Sequence, residues 1–334
     1  MAHTQIIRGK SQIAIIEEST QDTLQVPTAA SVIMANDDVS ISVEGGPMDN
    51  NVIRGDFLRM ARSPGAMSAS ISFSVPLKGS GTAGTAPEYD NALKACGMLV
   101  TNVGGTSDTY TATSTFDSAG GNPHTSYSIH LLNDGTRFSV IGAFGNVSMT
   151  AEVDSVPMLN FTFSGAYSPY TDDGLEDASA VYDVTVPQPF IGATMVMNFG
   201  GAHTLVGVTA ISWDLGNVVA LGKDASATYG YYGARITGRN ITGSMTMEKR
   251  KQSDDSANID VYDHAATALA GTIGTGVVGG TAGNKWAVSV LHATLGFPSE
   301  GDADGIMTWT VPFDVHADAD EVEDTDIDLQ IQFT

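Results

Sequence analysis

Three glycine-containing stretches are the places where this chain could hold a nucleotide. Gly79, Gly81 and Gly84 have G-x-G-x-x-G spacing and stand between an alternating segment and a helical one. In a βαβ unit such glycines let backbone amides approach a pyrophosphate at a helix N-terminus. Here the helix is short and the surroundings read as antiparallel β, so no nucleotide site is expected. Gly274, Gly276 and Gly279 follow a helical segment, which is the wrong context. Gly216, Gly222 and Lys223 miss P-loop spacing by one residue, and Asp224 stands where Ser or Thr would ligate magnesium. Carboxylates gather in Asp302-Ala303-Asp304-Gly305 and from His316 to Asp328, with His316, Asp318 and Asp320 the residues to watch for a cation. Neither stretch has the ligand order of an EF-hand, and both read as solvated loops. There is no G-x-S-x-G and no H-E-x-x-H, and the histidines are scattered. Cys96, the single cysteine, excludes an internal disulfide and reads as a small buried residue at a helix end. No catalytic residue, metal site or cofactor is expected.

The elements behind these residues are mostly strands. Val39, Ile41 and Val43 alternate with Ser40, Ser42 and Glu44, and Ile71, Phe73 and Val75 with serines. Leu159, Phe161 and Phe163 alternate with Asn160, Thr162 and Ser164; Met245 and Met247 with Ser244, Thr246 and Glu248; Ile327, Leu329, Ile331 and Phe333 with Asp328, Gln330 and Gln332. Each pattern places one apolar face on a core. Two segments read as helices. Pro87–Cys96 has Thr85 or Ala86 before it, acidic residues in its first turn and Gly97 after it; Ile259–Ala270 ends at Gly271, with Asp260 and Asp263 early.

These helices expose an internal repeat. Tyr89-Asp90-Asn91-Ala92 matches Tyr262-Asp263-His264-Ala265, and Val103-Gly104-Gly105-Thr106 recurs as Val278-Gly279-Gly280-Thr281. Ala69–Phe73 is similar to Gly243–Met247, and Met158–Thr162 to Ile306–Thr310. Short matches arise by chance in a Gly/Thr-rich chain, yet the preserved order favours a duplication. The expected organisation is a first domain over 1–170, a linker over 171–189 and a second domain over 190–334.

The 334 residues carry 38 acidic against 15 basic side chains, a formal net charge of -23. Such a chain repels DNA instead of holding it by phosphate neutralisation, although acidity also serves plain solubility. No apolar run approaches the ~20 residues of a membrane helix. The N-terminus lacks a signal-peptide pattern, so a cytoplasmic start is expected and the sequons at Asn146, Asn160 and Asn240 carry no weight.

Several segments resemble the tail tube proteins of long-tailed phages. They are Glu17 with Thr23 and Pro27-Thr28-Ala29-Ala30; the stretch with Arg54, Arg59 and Arg62-Ser63-Pro64-Gly65; and, most specifically, Ser70-Ile71-Ser72-Phe73 running through Gly79–Tyr89 to a short helix ending in Cys96-Gly97. The likeness covers residues 10–100 well and 135–170 loosely, and the second half is placed through the repeat.

The resemblance implies a mainly β protein: two tandem β-sandwich or partly rolled barrel domains, each flanked by one short helix. Six such domains would form a ring around a lumen, here from three chains as a pseudo-hexamer, unless six chains assemble with the second half as an outer decoration. It further implies a non-enzymatic virion protein whose rings stack into an acidic channel for DNA. The expected partners are copies of itself, a tape-measure protein, tail terminator and tail-tip proteins, and passing double-stranded DNA, with no stable membrane association and assembly in the host cytoplasm. Gly45–Gly65 suits a stacking arm, with Arg54, Phe57, Leu58, Arg59 and Arg62 as its contact residues. Its second-half counterpart over Lys223–Asn240 has Tyr229, Tyr231, Tyr232, Arg235 and Arg239. The rival readings are an exported surface-array or adhesin-like β protein and a β-sandwich enzyme, for which no nucleophile, base or metal constellation speaks.

Overall fold

The computed structural model describes residues 11–50, 52–53, 55, 60–113, 125–173, 182–198, 202–251, 270–316 and 329–334. In chain order these form β1 (Ser11–Glu17), β2 (Val32–Ile33), β3 (Ser40–Glu44), β4 (Ser68–Pro76), α1 (Asp90–Ala95), β5 (Met98–Val103), β6 (Ser107–Ala112) and β7 (Tyr127–Asn133). The long hairpin of β8 (Thr136–Glu152) and β9 (Met158–Asp172) follows, then β10 (Val196–Asn198), β11 (Ala202–Thr204), β12 (Val208–Asp214), β13 (Asn217–Lys223), β14 (Tyr231–Arg239) and β15 (Thr242–Glu248). The chain closes with β16 (Ala270–Gly274), β17 (Trp286–Leu295), β18 (Ser299–Ala303), β19 (Ile306–Val315) and β20 (Leu329–Phe333). The protein is mainly β, as its alternation predicts, and among the described residues every ladder is antiparallel.

One layer is a continuous sheet in the order β3-β4-β9-β8-β12-β15-β19-β18. Alternation decides its faces: Ile71, Phe73, Phe161, Met149, Trp213 and Met245 are buried, while the Ser, Thr and Asn between them face away. The other layer runs β5-β6-β20-β17-β16-β10-β11, and β2-β1-β7 joins the bulged outer half of β8. Between the layers lies one apolar cluster drawn from both halves of the sequence. The Phe73 ring lies 5.6 Å from that of Phe161 and 5.8 Å from that of Phe163. The C-terminal strand β20 is shared by the halves, pairing Ile331 with Tyr110 on one side and Val288 on the other.

The sheet contains the same three-strand register twice. Ile41 pairs with Ile71 and Ile71 with Phe163 in β3-β4-β9. Ile211 pairs with Met245 and Met245 with Val311 in β12-β15-β19. The segments that resemble each other in sequence hold this register residue for residue: Phe73 faces Phe161, and Met247 faces Trp309.

The first helix is shorter than the sequence predicts. Pro87–Tyr89 form a turn, with the Asp90 amide donating to the Pro87 carbonyl at 3.0 Å, and α1 begins only after Tyr89. Tyr89 is fully buried and its hydroxyl donates to the Lys78 carbonyl at 2.6 Å, which fixes where the chain can enter the helix. Gly97, at φ 75°, ends it as expected. Of the second predicted helix, residues 259–269 lie outside the described residues. Its expected end is corrected: Ala270 and Gly271 are strand residues paired with Thr294 and Ala293, because the edge of β17 captures them.

Lys78 and His130 are both buried. Lys78, just beyond β4, meets Glu88 at 3.2 Å and Asp183 at 3.7 Å; Asp183 belongs to the extended segment that connects the halves. His130 in β7 is buried beside Ser139 at 2.8 Å. Burial, with the Arg137 charge second, lowers its pKa to about 4. A lowered imidazole contributes stability above the ordinary His value of about 6.5, lost as pH falls toward about 4. His130 should account for about 3 kcal/mol of stability lost across that window, and His130→Leu should flatten urea midpoints between those pH values. An unchanged slope in the variant would refute the assignment.

Candidate assembly surfaces

The face of the long sheet that turns away from the core is built from small polar side chains. Hydroxyls meet across strands there: Ser212 and Ser244 at 2.9 Å, and Thr246 and Thr310 at 3.2 Å. Asn146 donates to Asp214 at 2.7 Å across the β8–β12 junction. Glu44, Glu152, Asp214, Glu248 and Asp314 share this face; among the described residues of its strands the one cation on it is Arg137 at the start of β8, and Arg235 of the β13–β14 hairpin reaches the same side over Phe144. Both arginines are paired with carboxylates, Arg137 with Asp173 and Arg235 with Asp22 at 2.7 Å, so the face offers a polyanion little to hold.

The ends of this sheet are open. Among the described residues β3 pairs only with β4, and β18 only with β19. Open edges template further pairing and are rarely left unused or unprotected. Neither carries a Lys, and both are exposed almost throughout.

Of the predicted first arm, Arg54, Phe57, Leu58 and Arg59 lie outside the described residues. At its base Met48 and Ser63 exchange backbone hydrogen bonds at 2.7 and 3.1 Å, and Arg62 meets Asp49 at 2.7 Å. Met48, Val52, Ile53 and Met60 are exposed on it. The segment expected as the second arm falls in the β13–β14 hairpin, and its residues lie against the first half of the same chain. Arg235 grips Asp22 with two nitrogens, at 3.0 and 2.7 Å, and its guanidinium sits 5.7 Å over the Phe144 ring. Arg239 donates to Asn217 at 2.8 Å and to the Gly97 carbonyl at 3.0 Å, beyond the end of α1. Tyr229 meets Tyr167 edge to face at 5.1 Å and its carbonyl accepts from Met67. Tyr231 begins β14, and Tyr232 is exposed beside Arg235.

The nucleotide-like glycines are committed within the protein. The Gly81 amide donates to the Gly283 carbonyl at 3.0 Å, and a Cβ on Gly84 would stand 2.4 Å from the Gly105 nitrogen. These glycines allow two backbone turns to touch and leave no phosphate cradle. Gly222 and Lys223 lie within β13. Asp302 and Gly305 close the β18–β19 turn on each other, with the Gly305 amide donating to Asp302 at 3.2 Å. His316 faces His292 at 6.2 Å, whereas Asp318 and Asp320 are outside the described residues. Cys96 is buried, and burial pushes its thiol well above the ordinary range.

Against known families, the chain matches the model described as phage tail tube protein over residues 9–317. It belongs to that family. No curated protein matches it. As a tail tube protein it is a structural component of the virion tail, and its partners are first of all copies of itself, assembled into a tube. Among the described residues no helix is long and apolar enough to cross a membrane.

Sequence reasoning missed the ion pair of Asp22 with Arg235 and the buried Lys78 cluster, which join residues far apart in the chain. The only signal available was a lysine directly after an apolar strand, which by itself names no partner.

Proposed function

We propose that three copies of this chain close into a ring, each supplying two four-stranded modules to a sheet that encloses the lumen. The modules are β3-β4-β9-β8 and β12-β15-β19-β18, products of the duplication, and the polar face lines the channel. The observation that carries this reading is the repeated register: two equivalent modules already stand side by side in one sheet, joined through β8 and β12. The predominantly acidic face, whose arginines are paired with carboxylates, supports a wall past which DNA slides without sticking. Six modules from three chains remove every open edge along the ring.

The arm over 45–65 reaches the next ring, with Arg54, Arg59 and Arg62 meeting acidic groups while Phe57 and Leu58 fill a groove; Tyr232 and the β13–β14 hairpin contribute to the same contact. The tape-measure protein occupies the channel during assembly, terminator and tip proteins cap its ends, and the rings form in the host cytoplasm. Negative-stain microscopy with rotational averaging tests this. Wild-type protein should give hollow tubes with three-fold power, and Arg59→Glu should give rings that do not lengthen. Full-length tubes from Arg59→Glu would reject the arm assignment, and a protein that stays monomeric under assembling conditions would move the weight to the surface-array reading.

A further inference from the structure

We infer that β3 of one chain pairs with β18 of the next in the register set by the internal β12–β8 junction, with Ser42 opposite Ala303 and Val43 opposite Asp302. The inference rests on the ring proposed above and adds its residue-level seam. It comes from carrying the internal junction onto the two open edges. Within the chain Ser212 faces Thr150 and Trp213 faces Met149. Ser212 occupies in β12 the place of Ser42 in β3, since each faces the serine of the equivalent central strand, Ser244 or Ser70. Thr150 occupies in β8 the place of Ala303 in β18, since their partners Met158 and Ile306 are equivalent in β9 and β19.

The backbone agrees with this register independently. The Leu77 amide donates to Pro157, which makes the odd-numbered residues of β4 bond toward β9 and the even-numbered ones toward β3. Ile41 and Val43 therefore turn their N–H and C=O groups to the open edge. The Lys249 amide donates to Met307, so Met247 bonds with Trp309, and by the same alternation β18 turns Glu300 and Asp302 outward. Val43 and Asp302 then meet as a hydrogen-bonded pair, as Trp213 and Met149 do beside the Leu215–Val147 bond of 3.0 Å. A shift of one residue would set outward groups against inward ones along the whole seam.

A side chain points the same way. Phe144 lies six residues before Thr150 and is 1% exposed, covered by Arg235 from the hairpin that follows β12. Phe297 lies six residues before Ala303 and is 67% exposed. Continued past β3, the same register brings the exposed Met48 opposite Phe297. One position departs from the template: Asp302 stands where Met149 is buried, so the new seam sets a carboxylate opposite Val43.

The test is cysteine cross-linking. Ser42 and Ala303 form a non-hydrogen-bonded pair, whose Cβ atoms approach within disulfide reach. Single variants Ser42→Cys and Ala303→Cys, mixed before assembly and then oxidised, should give a dimer that neither gives alone. The double variant should give a covalent closed trimer on non-reducing gels. Pairing Ser42→Cys with Gly301→Cys, out of register, should cross-link about tenfold less, because disulfide geometry tolerates little displacement. Tubes that form while only the Gly301 pair cross-links would overturn the register and leave the tube reading intact. Protein that neither assembles nor cross-links would overturn both. Phe297→Ser should keep the fold of the monomer and lose rings, and rings that form as readily as in wild type would remove Phe297 from the seam.

Discussion

Lys78→Ala is expected to lower the unfolding free energy by about 3–5 kcal/mol, because it strands buried carboxylates without their counter-charge. The Lys78 side chain is 3% exposed and lies within 4 Å of both Glu88 and Asp183; its ammonium also donates to the Asp183 carbonyl. Burial raises the Glu88 pKa despite the opposing lysine, so desolvation already outweighs attraction in the wild type. A raised carboxyl favours the folded state below its unfolded pKa, and that advantage fades as pH climbs through the folded value. The Lys78→Ala deficit should therefore be largest near neutrality and shrink in acid, where Glu88 takes up a proton. Lys78→Met combined with Glu88→Gln should recover most of the loss, since an apolar replacement for a buried pair is often neutral. Denaturant midpoints at two pH values decide it; a loss under about 1 kcal/mol at neutrality would mean that water reaches the site.

Trp213→Ala should cost a similar amount, about 3–5 kcal/mol, by opening a cavity where the modules meet. Trp213 is 2% exposed on the middle strand of the β8-β12-β15 contact, opposite Met149 and Gly243. A Cβ on Gly243 would lie 2.2 Å from the Phe313 ring, so that wall cannot fill the gap with a larger residue. The comparison is Val43→Ala, at the equivalent place on β3, where the side chain is 38% exposed in the single chain. Val43→Ala should cost under about 1 kcal/mol in the monomer. Calorimetry of both variants checks the pair, and equal costs would show that the β12 position is no more buried in solution than its counterpart.

How much of this was legible in the sequence depends on range. Period-two alternation correctly marks Ile71–Val75, Leu159–Phe163, Met245–Met247 and Leu329–Phe333 as strands with one core face, because that pattern is a property of each strand alone. Alternation does not name a strand's neighbour, so neither the β8–β12 junction nor the insertion of β20 between β6 and β17 could be read from it. Helix signals located α1 but not its start, which the burial of Tyr89 decides. At the candidate surfaces, the sequence marks Arg235 and Arg239 as contacts for a next ring, and the structure holds both within the same chain. Their partners Asp22 and Gly97 were not readable, since nothing local in a sequence couples a turn near its beginning to a hairpin far beyond it. The acidic balance predicted a repelling surface, and only the pairing register shows which carboxylates share a face.

The β8–β12 junction lies within one polypeptide, and that has a consequence for how any assembly grows. Its two strands face each other at an effective concentration set by the tether, in the millimolar range or above, whatever the dilution of the protein. A junction between chains must first offset the loss of free translation and rotation, roughly 4–15 kcal/mol. In the proposed ring, three chains therefore need two bimolecular encounters where six separate modules would need five, and the critical concentration falls accordingly. Dilution or shear should take such a tube apart only at alternate junctions, so the smallest fragment released is a whole chain with its own junction still closed.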